Sequence, residues 1–255
     1  MPSELVIVYH RQPYEEVVEN GKTVFRENKS PNGIVPTLKS FFGRFDKGSW
    51  VAWKEAEDPN NPDFERRIEI DDDFGTYGVT RLPLTREQVK SFYEVSSKEA
   101  FWPILHGFKE RYNYDPVDWP TFREVNWAFA EAAAAEAADG AVVWVHDYNL
   151  WLVPGYLRQL RPDVKISFFH HTPFPSADMF NVLPWRKEIL ESLKACDVVG
   201  FHIPRYVANF VSAARSMFEV DVTRRQKVED DFASEFSALT EVSVPSELEF
   251  RGHKI

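Results

Sequence analysis

Apolar residues follow two patterns along this chain. Short runs dominated by apolar residues recur at 5–9, 49–53, 79–82, 141–145, 165–169 and 197–201, each bounded by polar residues or turn formers. Unbroken runs of this length, 141–145 above all, predict strands covered on both faces. Between them lie stretches with helical spacing. Residues 34–42 put Ile34, Val35, Leu38, Phe41 and Phe42 roughly on one face, with Pro36 in the first turn, where a missing N–H costs little. Residues 85–93, 150–160 and 184–195 predict further helices. Another opens at Pro204, with Val207, Phe210, Val211 and Ala214 on one side. The clearest helix is 121–138. Thr121 and Glu124 form a capping-box pattern, Phe122, Val125, Phe129 and Ala132 recur at helical spacing, and Asp139-Gly140 ends it. Residues 14–29 predict a loop or hairpin, Ser30-Pro31-Asn32-Gly33 a turn, 55–64 a surface loop and 115–118 a turn.

The alternation of strand and helix predicts an α/β fold with a doubly wound, mainly parallel sheet. Past residue 220 the pattern weakens. Charges are mixed, apolar residues are sparse and no helical period lasts. The expectation is a domain over 1–220, with 221–255 a linker or an approach to a further domain.

Composition narrows the function classes. At 255 residues the chain suits one large domain or two small ones. Its formal net charge of −10 argues against general nucleic-acid binding, which needs a basic face. Anionic substrates stay open, because one arginine can dominate a small pocket. The single Cys196 allows no intramolecular disulfide and fits a reducing compartment. Met-Pro-Ser-Glu at the start lacks the basic region of a signal peptide, and no apolar run approaches the roughly 20 residues of a membrane span. The expectation is a cytoplasmic protein without membrane contact. Aromatic residues make up 15% of the chain, which suits either a dense core or a pocket for flat ligands.

Candidate chemistry gathers in 144–201. Two of the expected strands end in polar clusters, His146-Asp147-Tyr148 and His170-His171-Thr172. In an open α/β sheet ligands bind beyond the carboxyl ends of the strands. The spacing of His146, His170, His171 and Asp147 matches no standard metal site, so no metal is expected. A pocket for hydroxyls suits them better, since a carboxylate accepts from a hydroxyl and a neutral imidazole both donates and accepts. Satisfied structural histidines remain the alternative for His146 and His170. Arg11 follows the first strand directly, as a phosphate fork or as a surface ion pair. Asn32-Gly33 offers backbone N–H groups to a phosphate or a sugar, or is a plain turn. Neither G-x-G-x-x-G nor G-x-x-x-x-G-K-[ST] occurs, and no G-x-S-x-G marks a nucleophile.

Taken in order, these pieces resemble glycosyltransferase family 20, the trehalose-6-phosphate synthase superfamily. The carrying residues are Trp144-Val-His-Asp-Tyr148, Phe169-His-His-Thr-Pro-Phe-Pro175, Leu183-Pro184, Gly200-Phe201, His10-Arg11, Trp50-Val-Ala-Trp53, and Tyr93 with Trp102 nine residues later. Tyr9-His-Arg-Gln-Pro-Tyr-Glu-Glu16 and Ser97-Lys-Glu-Ala-Phe-Trp-Pro-Ile-Leu-His106 lie closer to the glucosylglycerol-phosphate synthases within it.

The resemblance implies the Rossmann-like N-terminal, acceptor-side half of a GT-B glycosyltransferase. It implies retaining transfer of glucose from ADP-glucose to glycerol 3-phosphate, with no cofactor. Glucose 6-phosphate as acceptor, or an inert binding module of the same fold, are the rival readings, and homo-oligomer formation stays open. By position, Arg11, Tyr93 and Trp102 would grip the acceptor phosphate, and Asp147 an acceptor hydroxyl. Asn32 and Gly33 would close over the donor, and His171 would bond its glucose. His171 and Asp147 are thus the expected catalytic pair. The chain departs from the trehalose-type pattern at Asn149, which stands for a second His, at His10, which stands for an Asn, and at Asn32-Gly33, which stands for a glycine pair. These changes fit an acceptor smaller than glucose 6-phosphate.

Overall fold

The computed structural model describes residues 2–28, 33–228 and 243–255. Strand β1 (Ser3–Val8) lies at the middle of a seven-stranded sheet. The chain then makes the antiparallel hairpin β2 (Tyr14–Glu19) and β3 (Lys22–Glu27), which stands apart from the main sheet. Helix α1 (Ile34–Lys39) starts from Gly33, whose φ of 63° is a left-handed conformation that glycine adopts without a Cβ penalty. It is shorter than the 34–42 expected, because a separate 3-10 turn takes Phe42–Arg44.

Strands β4 (Gly48–Glu55), β5 (Arg67–Asp72) and β6 (Gly75–Leu84) extend the sheet on one side of β1. The other side carries β7 (Ala137–His146), β8 (Lys165–His170) and β9 (Val198–Phe201). The order is β5-β6-β4-β1-β7-β8-β9, and every pairing is parallel except β5 with β6. The winding reverses at β1, which places a topological switch point beside its carboxyl end.

Alternation along β1 divides the core. Val6 and Val8 face the larger cluster, which holds the helices of the β7–β9 side. Leu5, Ile7 and Tyr9 face a smaller one with Trp50, Tyr77 and α1. On the larger side α2 (Arg86–Val89) runs into a π-helical segment, Lys90–Phe101, and then α3 (Trp102–Leu105). A capping box of Thr85 and Gln88 starts this stretch.

Helix α4 (Trp119–Glu136) begins two residues earlier than its pattern suggested. The Asp118 carboxylate caps it by accepting from the Thr121 amide at 3.2 Å, so Thr121 is not the cap. Trp119 and Pro120 fit the first turn, where an absent N–H costs nothing. Glu136 ends the helix, and the Arg161 guanidinium donates to the carbonyls of Ala134, Ala137 and Ala138 that the end leaves open. Helices α5 (Val153–Leu160), α6 (Ala177–Phe180), α7 (Arg186–Leu193) and α8 (Pro204–Arg215) complete the layers.

The described residues after α8 are strands. β10 (Asp221–Lys227), β11 (Ser243–Phe250) and β12 (His253–Lys254) form an antiparallel sheet. Leu248 and Phe250 join the larger core, although the sequence around them is sparse in apolar residues.

Candidate functional site

Three strand ends meet at the switch point. Beyond β1, the Tyr9 amide donates to the Val51 carbonyl at 3.1 Å, so the sheet continues one residue further. The Trp50 indole N–H then donates to the Arg11 carbonyl at 2.8 Å and fixes the turn that presents Arg11. The guanidinium lies 3.4 Å from the Tyr93 hydroxyl. Among the described residues no carboxylate pairs with it.

β7 delivers His146 and Asp147. Asp147 has φ 70° and ψ 163°, a region nearly reserved for glycine. Its amide donates to the Phe169 carbonyl of β8 at 2.8 Å, which holds the strained turn in place. Its carboxylate is buried, accepting from the Tyr148 amide at 3.1 Å and the Thr172 hydroxyl at 3.3 Å. Burial dominates over these bonds and pushes its pKa up to about 6.

β8 delivers His170 and His171. His170 is fully buried, with Nδ1 at 2.8 Å from the Thr172 carbonyl, which assigns the proton to Nδ1. The His171 Nε2 sits 3.1 Å from His146 Nδ1, so one ring donates and the other accepts. Burial pushes His171 down to about 4, helped by the neighbouring His202, and His170 down to about 3. His146 is pushed well below its ordinary value, again by burial first. At neutral pH the three rings are uncharged and act as hydrogen-bonding groups.

The fourth wall is the π segment. A π-helix closes its hydrogen bonds at i to i+5, so each turn takes between four and five residues. Tyr93, Lys98 and Trp102 are spaced by five and then four residues, near one turn each, and share a face. At about 3.6 residues per turn, nine residues would be two and a half turns, and Tyr93 and Trp102 would point to opposite sides. The Ser97 hydroxyl donates to the Phe92 carbonyl at 2.8 Å, an added bond across one turn of this winding. Trp102 is 39% exposed, unusual for an indole, and is stacked on His106 at 4.0 Å between ring centroids.

These walls enclose a cleft of about 590 Å³. Of the residues singled out from the sequence, it brings together Arg11, Tyr93, Trp102, Asp147 and His171. His146 and His170 stand behind it rather than in its lining. Gly33 is at the start of α1, with its neighbour Ile34 on the cleft wall. Asn32 lies outside the described residues. Asn149 reaches the lining, and its buried Nδ2 has no partner among the described residues. Lys98, His106 and Tyr9 also line the cleft and were not foreseen. Only the π register, invisible in the apolar pattern, would have revealed Lys98 and His106. Among the described residues no group of three or more His, Cys, Asp or Glu is placed to hold a metal ion, and no helix is long and apolar enough to cross a membrane.

A doubly wound sheet whose switch point carries a cation, a buried carboxylate and neutral imidazoles defines a binding cleft for polyhydroxyl and anionic groups. Such a cleft is suited to a sugar-transferring enzyme. The chain belongs to glycosyltransferase family 20, whose family model matches residues 3–245. It is 57% identical over 250 residues to the glucosylglycerol-phosphate synthase of Synechocystis sp., covering 98% of this chain and 50% of that protein. It is 40% identical over 227 residues to the trehalose-6-phosphate synthase of Mycolicibacterium gilvum, covering 87% of this chain and 43% of that one. The chain thus spans about half the length of the curated relatives it matches. Among solved structures, a trehalose-6-phosphate enzyme from E. coli bound with UDP-2-fluoro glucose superposes with a TM-score of 0.73 at 20% identity. The match covers 98% of this chain and 47% of that one, and shows the shared fold.

Proposed function

We propose that this cleft is the acceptor side of a retaining glucosyltransferase that moves glucose from ADP-glucose to glycerol 3-phosphate. The observation that carries the reading is the convergence of Arg11, Tyr93, Trp102 and Asp147 on one cleft, in a chain 57% identical to a glucosylglycerol-phosphate synthase. Arg11 and the Tyr93 hydroxyl take the acceptor phosphate, and Trp102 walls it in. The Asp147 carboxylate accepts from an acceptor hydroxyl and orients its oxygen. Neutral His171 bonds a hydroxyl of the donor glucose, held by His146. Gly33 approaches the donor from the start of α1, and its sequence neighbour Asn32 is assigned to the same partner.

The transition state is oxocarbenium-like, as in glycoside hydrolysis. Among the described cleft residues only one carboxylate is offered, so rate enhancement rests on holding the two reactants in line and on stabilising the departing phosphate. Residues 1–220 are the acceptor-binding domain in this reading, and 221–255 approach the donor-binding part. That part falls in the half of the relatives' length that this chain does not cover, so the 255 residues alone bind acceptor with little or no turnover.

The test offers the protein as its gene encodes it ADP-glucose with glycerol 3-phosphate and glucose 6-phosphate in competition. Glucosylglycerol phosphate as the dominant product supports the reading. Trehalose 6-phosphate as the dominant product replaces it with a trehalose-type activity, and no product from either acceptor points to an inert binding module.

A further inference from the structure

We infer that Lys98 is the second cation of the acceptor-phosphate site, set across Tyr93 from Arg11, so that the cleft grips a phosphomonoester dianion between two positive groups. The inference rests on the reading of this cleft as a phosphate-bearing acceptor site.

Tyr93 lies between the two cations. Its hydroxyl is 3.4 Å from the Arg11 guanidinium, and the Lys98 ammonium lies 4.2 Å from the centre of its ring. Both cations line the same cleft. Among the described residues neither has a carboxylate partner. The chain carries 40 acidic residues against 30 basic ones, so partners were not scarce. Other cations near this sheet are paired: Lys39 with Asp72, Arg67 with Glu136 and Arg81 with Glu16. Two unpaired like charges held around one tyrosine repel each other until an anion comes between them. Asp147, the carboxylate of the cleft, forms no ion pair with either cation among the described residues, and its Oδ1 accepts from both the Tyr148 amide and the Thr172 hydroxyl.

The π winding is the second observation. It turns Lys98 onto the face of Tyr93 and Trp102, where an α-helical register would rotate it well away. The guanidinium supplies a planar fork and the ammonium a compact point charge, a pair suited to a phosphate with three exposed oxygens. Lys98 is exposed on its outer side, so it can be replaced without disturbing the core.

Calorimetric titration of the protein as its gene encodes it, and of Lys98→Met and Lys98→Arg, tests this with two probes, glycerol 3-phosphate and inorganic phosphate. Lys98→Met is expected to weaken both by about 10- to 100-fold, the loss of one charge-assisted contact. Lys98→Arg is expected to stay within about 5-fold of the parent, since the charge is kept and only its shape changes. Unchanged circular dichroism confirms that both variants fold. If the parent binds glycerol 3-phosphate and Lys98→Met binds it within about 2-fold, on the scale where a charged contact is worth tenfold or more, Lys98 has no such role. If the parent binds inorganic phosphate in a Lys98-dependent way but not glycerol 3-phosphate, the two-cation site stands and the glycerol acceptor falls. If the parent binds neither, both fall.

Discussion

The indole N–H of Trp50, on the second strand of the switch point, donates at 2.8 Å to the carbonyl of Arg11. A fully buried side chain on β4 thereby sets the backbone from which an exposed guanidinium works. Trp50→Phe keeps most of the apolar contact and removes the bond. The expected outcome is a stability loss of about 1–3 kcal/mol, from the orphaned carbonyl and the residual cavity. A several-fold rise in acceptor KM should accompany it with kcat less affected. Denaturant unfolding together with acceptor saturation curves checks both halves.

Arg11 itself should act almost wholly on the acceptor. Arg11→Ala is expected to raise the KM for a phosphorylated acceptor by about 10- to 100-fold, the scale of a charge-assisted contact. The KM for ADP-glucose should stay near the parent's. An unchanged acceptor KM would remove Arg11 from this role.

Asp147 should trade stability for binding. Its pKa rises on folding from an ordinary 3.8 to about 6, because the carboxylate is buried. The folded state therefore holds the proton more tightly than the unfolded one between those values. Stability falls as pH climbs through that window and levels off above it. Asp147→Asn removes the buried charge and keeps a side chain of the same shape in the same strained turn. Thermal unfolding at pH 7 should show the variant at least as stable as the parent, without the decline between pH 4 and 6. Activity should drop by about 100-fold or more, since an amide nitrogen cannot accept from the acceptor hydroxyl.

Asp72 gives a prediction away from the cleft. The buried Lys39 ammonium lies 2.5 Å from its carboxylate and 4.7 Å from the centre of the Phe74 ring. Asp72→Ala leaves that charge buried without its partner and should cost about 3 kcal/mol in urea unfolding. Acceptor binding by the folded fraction should be unchanged, because the pair lies among α1, β5 and β6 rather than in the cleft.

The parallel strands were legible because both faces are covered and their residues are nearly all apolar. Val143 and Val145 face one core while Val142 and Trp144 pack on the other. β5 was missed because an edge strand needs little burial. In Arg67–Asp72 only Ile68 and Ile70 are apolar. The start of α4 was misplaced because Asp118-Trp119-Pro120 is a start signal of its own, and the Thr121–Glu124 spacing competed with it. The sheet β10–β12 escaped notice because few apolar residues anchor it in the core, Leu248 and Phe250 on β11 with Val222 of β10 packed against the same cluster. For the cleft, residues at strand ends were readable because the fold class says where strands deliver their ligands. Lys98 and His106 were not, because their placement depends on the winding of the π segment, and five-residue periodicity carries no apolar signature.

That winding makes chain length a specificity variable. A π turn holds one residue more than an α turn. Deleting a single residue between Tyr93 and Trp102 would let the segment relax into the α register. Eight residues of α-helix make about 2.2 turns, so Trp102 would then sit about 80° around the axis from Tyr93 instead of on the same face. No side chain of the cleft need be substituted to dismantle its fourth wall. Among enzymes built on this sheet, a one-residue gap in this helix is thus a more drastic change to the acceptor pocket than many point substitutions within it.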